Sequence, residues 1–154
     1  MEIKFTIPLE PKGQMRARRG KIFKTKDNRM FATTHKAKKQ ETVEARLLAY
    51  IIPHAPEQLW TGPIMIELTA YMEPAASWAD SWRAAKLDEI WPTKTPDLDN
   101  ILKNVKDVMS GIIYHDDKQI CGAMLWKMFG APRLEVTVTQ LPGYRHDAKK
   151  GDIE

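Results

Sequence analysis

The stretch Pro96-Asp97-Leu98-Asp99-Asn100-Ile101-Leu102-Lys103, followed by Asp107, Gly111 and the adjacent pair Asp116-Asp117, decides how this chain reads. Leu98, Ile101, Leu102, Val105 and Met109 recur at three- and four-residue steps, the apolar stripe of a helix packed on a core. Asp97 and Asp99 therefore open that helix. Asp99, Lys103 and Asp107 follow at i, i+4 spacing and rise along a single face, away from the stripe. Asp116-Asp117 lies between Ile112-Ile113-Tyr114 and the alternating run Ile120 to Phe129, so it reads as a short acidic connection entering a strand. Carboxylates with a lysine among them suit a hard divalent cation, which takes oxygen ligands and is usually held together with the phosphates of its substrate. Phosphoryl transfer is the chemistry such a set implies.

Each piece also has a plainer explanation. Asp97 after a proline is a natural N-cap, Asp99 favours the helix macrodipole, and Asp116-Asp117 are ordinary turn residues. Lys103 could be a solvated partner of Asp99 or Asp107. The combination is what favours catalysis over these separate roles. His115, exposed in a turn, is given no catalytic part.

Working outward, the chain alternates strands and helices. Glu2 to Ile7 is an edge or half-buried strand, Pro8 to Gly20 a loop, and Lys21 to Phe31 a short irregular hairpin around Asp27-Asn28. Thr33 or Thr34 is read as the cap of a helix from about His35 to Ile52, with Val43, Leu47, Leu48 and Ile51 on its apolar face, ending at Pro53. Pro63 to Met72 is the strongest strand, with Ile64, Ile66, Leu68 and Ala70 on one face. Composition changes from Glu73 to Thr93, where Ser77 would cap a short inserted helix bearing Trp78 and Trp82. Those tryptophans are expected to pack on the domain or a partner subunit, the alternative being stacking on unpaired bases. Leu141 to Glu154 is a polar tail.

Composition bounds the class. At 154 residues the chain suits one domain. Its formal net charge is +4, and the distribution says more than the sum. Lys12, Arg16, Arg18, Arg19, Lys21, Lys24, Lys26 and Arg29 face a single acid, Asp27, across that segment, which is what a binder of phosphate backbone needs. Cys121 is alone, which excludes an internal disulfide or a cysteine-based zinc site, and its place in a strand suggests a small buried hydrophobe. No apolar run approaches membrane-spanning length and the N-terminus has no signal region, so a cytoplasmic location is expected.

The stretch from Lys94 to Lys103, with Asp107, Gly111 and Tyr114-His115-Asp116-Asp117-Lys118-Gln119-Ile120, resembles the signature of the RusA family of Holliday junction resolvases in both letters and spacing. Pro11 to Arg18 looks like that family's basic loop, and Lys127 with Pro132 to Thr139 like its final strands. The resemblance implies an α+β fold, a small mixed sheet packed on two main helices in one domain (residues 1–140, with 73–93 a helical insertion and 141–154 a tail). It implies a homodimeric endodeoxyribonuclease that cuts four-way junctions or related branched DNA to leave 5′-phosphate ends, acting in recombination and repair. It implies Asp97, Asp99 and Asp117 as ligands of Mg²⁺, with Mn²⁺ as a substitute, and Lys103 as the active-site lysine. Lys12, Arg16, Arg18 and Arg19 are the expected DNA contacts, and no protein partner beyond a second copy is implied.

Two other classes are open to a chain of this kind. A non-catalytic binder of branched DNA would need the basic loop but not acids facing a phosphate backbone. A Mg²⁺-dependent nucleotide phosphohydrolase would need a phosphate cradle, which Gly13 and Gly20 do not supply at recognised spacing.

Overall fold

The computed structural model describes residues 1–15, 18–24, 30–35, 38–78 and 90–142, with the backbone alone for 18–24 and 30–35. The order is β1 (Glu2–Ile7), β2 (Arg18–Lys24), β3 (Met30–His35), α1 (Lys38–Ile51), β4 (Ile64–Met72), α2 (Leu98–Met109), β5 (Ile120–Phe129) and β6 (Arg133–Gln140). Four strands form one sheet in the order β1-β6-β4-β5, while β2 and β3 pair separately. β6 runs antiparallel to β1 and β4, and β4 runs parallel to β5. A parallel pair cannot be joined by a tight turn. The chain between β4 and β5 therefore crosses over, and it carries α2 and the acidic motif. This is the α+β arrangement of a mixed sheet and two main helices in a single small domain.

Alternation decides which face of the sheet is covered. Ile64, Ile66, Leu68 and Ala70 of β4 are buried, as are Phe5 and Ile7 of β1 and Leu134, Val136 and Val138 of β6. Against them pack Leu47 and Ile51 from α1 and Ile101, Val105 and Met109 from α2. The apolar stripe of α2 is thus fixed on the sheet, and its polar face is turned out. Gly111, at φ 79°, ends the helix just past its last turn in the left-handed region that glycine adopts without a Cβ penalty.

Three local expectations need correction. Thr33 and Thr34 do not cap α1; they lie in β3, where Thr34 pairs with Arg19, and α1 begins at Lys38. Correspondingly, the loop after β1 gives way to β2 at Arg18, before Gly20. The tip of this hairpin, 25–29, lies outside the described residues. Cys121 is exposed. The register with β4 jumps from Ile64–Ile120 to Met65–Gly122, so Cys121 is the extra residue of a bulge, displaced from the regular inward alternation.

Of the expected insertion, 79–89 with Trp82 lies outside the described residues, as does the tail from 143. Trp78 packs edge-on against Phe129 with ring centroids 5.1 Å apart, and Trp91 lies tilted beside Trp126 at 6.0 Å. Among the described residues no helix is long and apolar enough to cross a membrane.

A buried polar network joins the two helices to the loop after β1. Gln40 of α1 donates to Asn104 Oδ1 of α2 at 2.8 Å and accepts from the Met15 amide at 2.9 Å, while Asn104 donates to the Lys12 carbonyl at 3.2 Å. Both side chains are almost fully buried. Asn104→Leu leaves one N–H of the Gln40 amide without its buried acceptor, while the other keeps Glu44 Oε1 at 3.0 Å, and such a lost partner costs about 1–3 kcal/mol. Thermal unfolding of that variant is expected to show a loss in this range with the fold retained; an unchanged midpoint would mean that the network does not hold the loop.

Candidate active site

The outward face of α2 presents, from its N-terminal end, Asp99, Lys103, Lys106 and Asp107. Asp97 precedes them at the N-cap position, where its extended backbone (φ −69°, ψ 143°) turns the chain into the helix. Its carbonyl accepts the first helical bond from the Ile101 amide, but its carboxylate makes no cap bond. Asp97 and Asp99 are both exposed, and both sit at the positive end of the helix dipole, where anionic groups are favoured. The N-cap role that the sequence leaves open for Asp97 is therefore not what its side chain does.

Asp116 and Asp117 have different roles despite being adjacent. Asp116 accepts from the Lys118 amide at 2.9 Å, and its own amide donates to Gln119 Oε1 at 2.9 Å, a reciprocal capping box over the short 3-10 turn Asp117–Gln119. The Lys118 amide, chiefly, holds the Asp116 carboxyl below the usual aspartate range. Gln119 also donates to the carbonyls of Trp60 and Gly62, both at 2.9 Å, which pins the turn to the segment before β4. Asp117, one residue on, is directed at α2 and forms an ion pair with Lys106.

Lys106 was not singled out in the sequence, although it lies three residues after Lys103 on the same helical face. Its ammonium bridges Asp117 and Asp107, the latter at 3.1 Å. Burial alone would push this lysine down, but the two carboxylates outweigh it and hold it above its usual value. Buried Tyr114 braces the same turn by donating to the Lys106 carbonyl at 3.0 Å, and its phenol is pushed up by burial and by the nearby charges of Asp117 and Asp107. Lys103 is exposed and makes no hydrogen bond or ion pair with another described residue.

The loop after β1 lies directly along this face. Gln14 donates to Asp107 Oδ2 at 2.7 Å, and its amide donates to the Asn100 carbonyl at 3.1 Å. Gly13 permits the approach, since a Cβ there would meet those of Asn100 and Pro96 at 3.2 Å. Of the expected DNA contacts, Lys12 is exposed with Glu10 3.6 Å away, Arg18 and Arg19 begin β2, and Arg16 lies outside the described residues.

The donor set fits a hard cation in its chemistry. Asp97 and Asp99 are exposed carboxylates two residues apart, and Mg²⁺ is usually bound through one or two carboxylates plus water and substrate phosphate. Asp117 is not clustered with them. Among the described residues no three acidic, histidine or cysteine side chains form a ready-made cage, and Asp117 has Lys106 as its counter-charge. Along α2, Asp99 and Lys106 are about 10 Å apart at 1.5 Å per residue.

The site thus consists of a helix with an acidic N-terminus and a mixed charged face, with the loop after β1 docked beside it. The family model described as Endodeoxyribonuclease RusA matches residues 8–139, and the chain belongs to that family. It is also 33% identical over 143 residues to "Uncharacterized protein YqaN" of Bacillus subtilis (strain 168), a match covering 90% of this chain and 96% of that protein.

Proposed function

We propose that the protein is a Mg²⁺-dependent, structure-selective endodeoxyribonuclease that resolves Holliday junctions or related branched DNA, in recombination and repair. The observation that carries this beyond family membership is the state of Asp97: it occupies the N-cap position yet leaves its carboxylate uncommitted, beside Asp99 and at the edge of the docked loop. Asp97 and Asp99 would hold the cation, with Mn²⁺ as a substitute, and Asp117 is the third candidate ligand. For Asp117 to join them means exchanging the Lys106 ammonium for the metal as its positive partner. When bound, the cation supplies polarisation of the scissile phosphate and acidification of the attacking water.

The rest of the chemistry belongs to the chain. Water oxygen bonds to phosphorus as the bond from phosphorus to the 3′ oxygen breaks, leaving a 5′-phosphate and a 3′-hydroxyl. Carboxylates alone repel the phosphate. Lys103, one helical turn beyond Asp99 and unengaged by other described residues, offers its ammonium to the charge developing on the phosphoryl oxygens. Lys12, Arg16, Arg18 and Arg19 would hold the flanking backbone, and the bonds from Gln14 to Asp107 and Asn100 keep the start of that loop against the catalytic helix.

Two cuts on opposed strands call for two active sites related by a two-fold axis, which a homodimer supplies. Its interface would use the sheet face that the helices leave open, where Met124 and Trp126 of β5 are 46% and 50% exposed and Trp91 is 56% exposed. Sedimentation equilibrium at micromolar protein is expected to give the dimer mass. A supercoiled plasmid bearing an extruded cruciform tests the paired action: linear product formed within the lifetime of one complex supports it, and nicked circles alone would contradict it.

A further inference from the structure

Lys127 stands at a core-facing position of β5. In the parallel register it pairs with Ala70, which is fully buried, and it follows the same alternation as Leu125 beside Leu68. The lysine is half-buried, and its ammonium reaches the solvent-exposed edge of the sheet, where it finds acceptors. The acceptors are backbone carbonyls: Lys127 Nζ donates to Lys94 at 2.7 Å and to Pro96 at 3.2 Å. Both belong to the turn immediately before Asp97. Holding the Pro96 carbonyl fixes the plane of the peptide that enters Asp97, and with it the direction in which the Asp97 side chain leaves the backbone. The same turn is also approached by Gly13, where an added Cβ would meet those of Pro96 and Asn100 at 3.2 Å.

We infer that Lys127 is a positioning residue, which sets the Asp97 carboxylate for metal binding by clamping the Lys94–Pro96 turn to the sheet. The inference rests on the proposed role of Asp97 as a ligand. It separates Lys127 from the cations that meet DNA: its ammonium is directed at carbonyls of its own chain and its side chain is half-buried. The dependence on Lys127 should therefore appear in metal affinity and in the Mg²⁺ requirement of cleavage, not in DNA affinity.

The test uses Lys127→Met, which keeps the apolar stem and removes the ammonium, and Lys127→Gln, which keeps a donor able to approach the carbonyls. Free Mn²⁺ is counted by electron paramagnetic resonance in the absence of DNA, and single-turnover cleavage of a four-way junction is followed against Mg²⁺ concentration. Lys127→Met is expected to weaken Mn²⁺ binding and raise the half-saturating Mg²⁺ by about tenfold or more, the usual effect of losing a group that orients a ligand. Junction affinity and its salt dependence should be unchanged, and Lys127→Gln should recover part of the loss. Wild-type Mn²⁺ and Mg²⁺ dependence in both folded variants would overturn the inference, as would a loss of junction affinity with a shallower salt slope, which would make Lys127 a phosphate contact. Asp97→Asn is measured alongside. If Asp97→Asn binds Mn²⁺ and cuts normally, the assignment of Asp97 itself fails; if it is inactive while Lys127→Met is normal, the failure belongs to Lys127 alone.

Discussion

Asp97→Asn is expected to abolish cleavage while leaving junction binding and stability intact. Asparagine keeps the shape of the side chain but removes the charge that a hard cation requires. Because the Asp97 carboxylate makes no cap bond and asparagine is itself a favoured N-cap residue, helix α2 loses nothing by the change. Removing a ligand of the cation withdraws several kcal/mol of transition-state stabilisation, on the order of a thousandfold in rate at 1.36 kcal/mol per decade. Binding should hold or tighten, since a negative charge facing the DNA backbone is gone. Asp99→Asn should behave alike. The adjacent pair offers an internal contrast: Asp117→Asn should lose cleavage, whereas Asp116→Asn should chiefly loosen the capping box around Gln119. Normal cutting by Asp117→Asn together with inactivity of Asp116→Asn would reverse that assignment.

The second large effect is expected from the basic segment. Replacing Arg16, Arg18 and Arg19 together by Ala should weaken junction binding and flatten the log–log dependence on salt by roughly 2.7 if all three meet phosphates, at about 0.9 per contact. The prediction is tied to placement as well as to charge. The segment leaves a loop that is bonded to α2 through Gln14 and held through the Gln40–Asn104 network, so its start is fixed beside the acidic face. Metal affinity measured without DNA should not change. A triple variant with an unaltered salt slope would place the DNA path elsewhere on the molecule.

What could be read from the sequence was whatever depends on short-range periodicity. The stripe Leu98, Ile101, Val105, Met109 placed α2 and turned its charged face outward, and the alternation of Ile64, Ile66, Leu68 and Ala70 placed β4 with its buried side. Thr33 to His35 read as a helix start because the pairing of β3 is with β2, outside the main sheet, so apolar alternation had little to mark there, whereas Met30 and Phe31 fall in the hairpin as the sequence suggests. Cys121 was misread because a bulge breaks the alternation on which its burial was judged. The separate roles of Asp116 and Asp117 depend on an irregular 3-10 turn, which neighbouring letters do not announce. Contacts between distant segments were beyond reach altogether: Gln14 with Asp107, Gln40 with Asn104, and Lys127 with the carbonyls before Asp97 join positions that only the folded sheet brings together. Lys106 is different. Its position three residues beyond Lys103 already places it on the charged face, and its pairing with Asp117 is what the fold adds.

The most direct measurement is cleavage of end-labelled four-way junction, flap, fork and linear duplex by the purified protein, with and without Mg²⁺. The account predicts symmetric incisions in the junction that need Mg²⁺, much weaker cutting of linear duplex, and no cutting of any substrate by Asp97→Asn at protein concentrations that still bind the junction. Metal-independent incision, or equal cutting of linear duplex and junction, would contradict it.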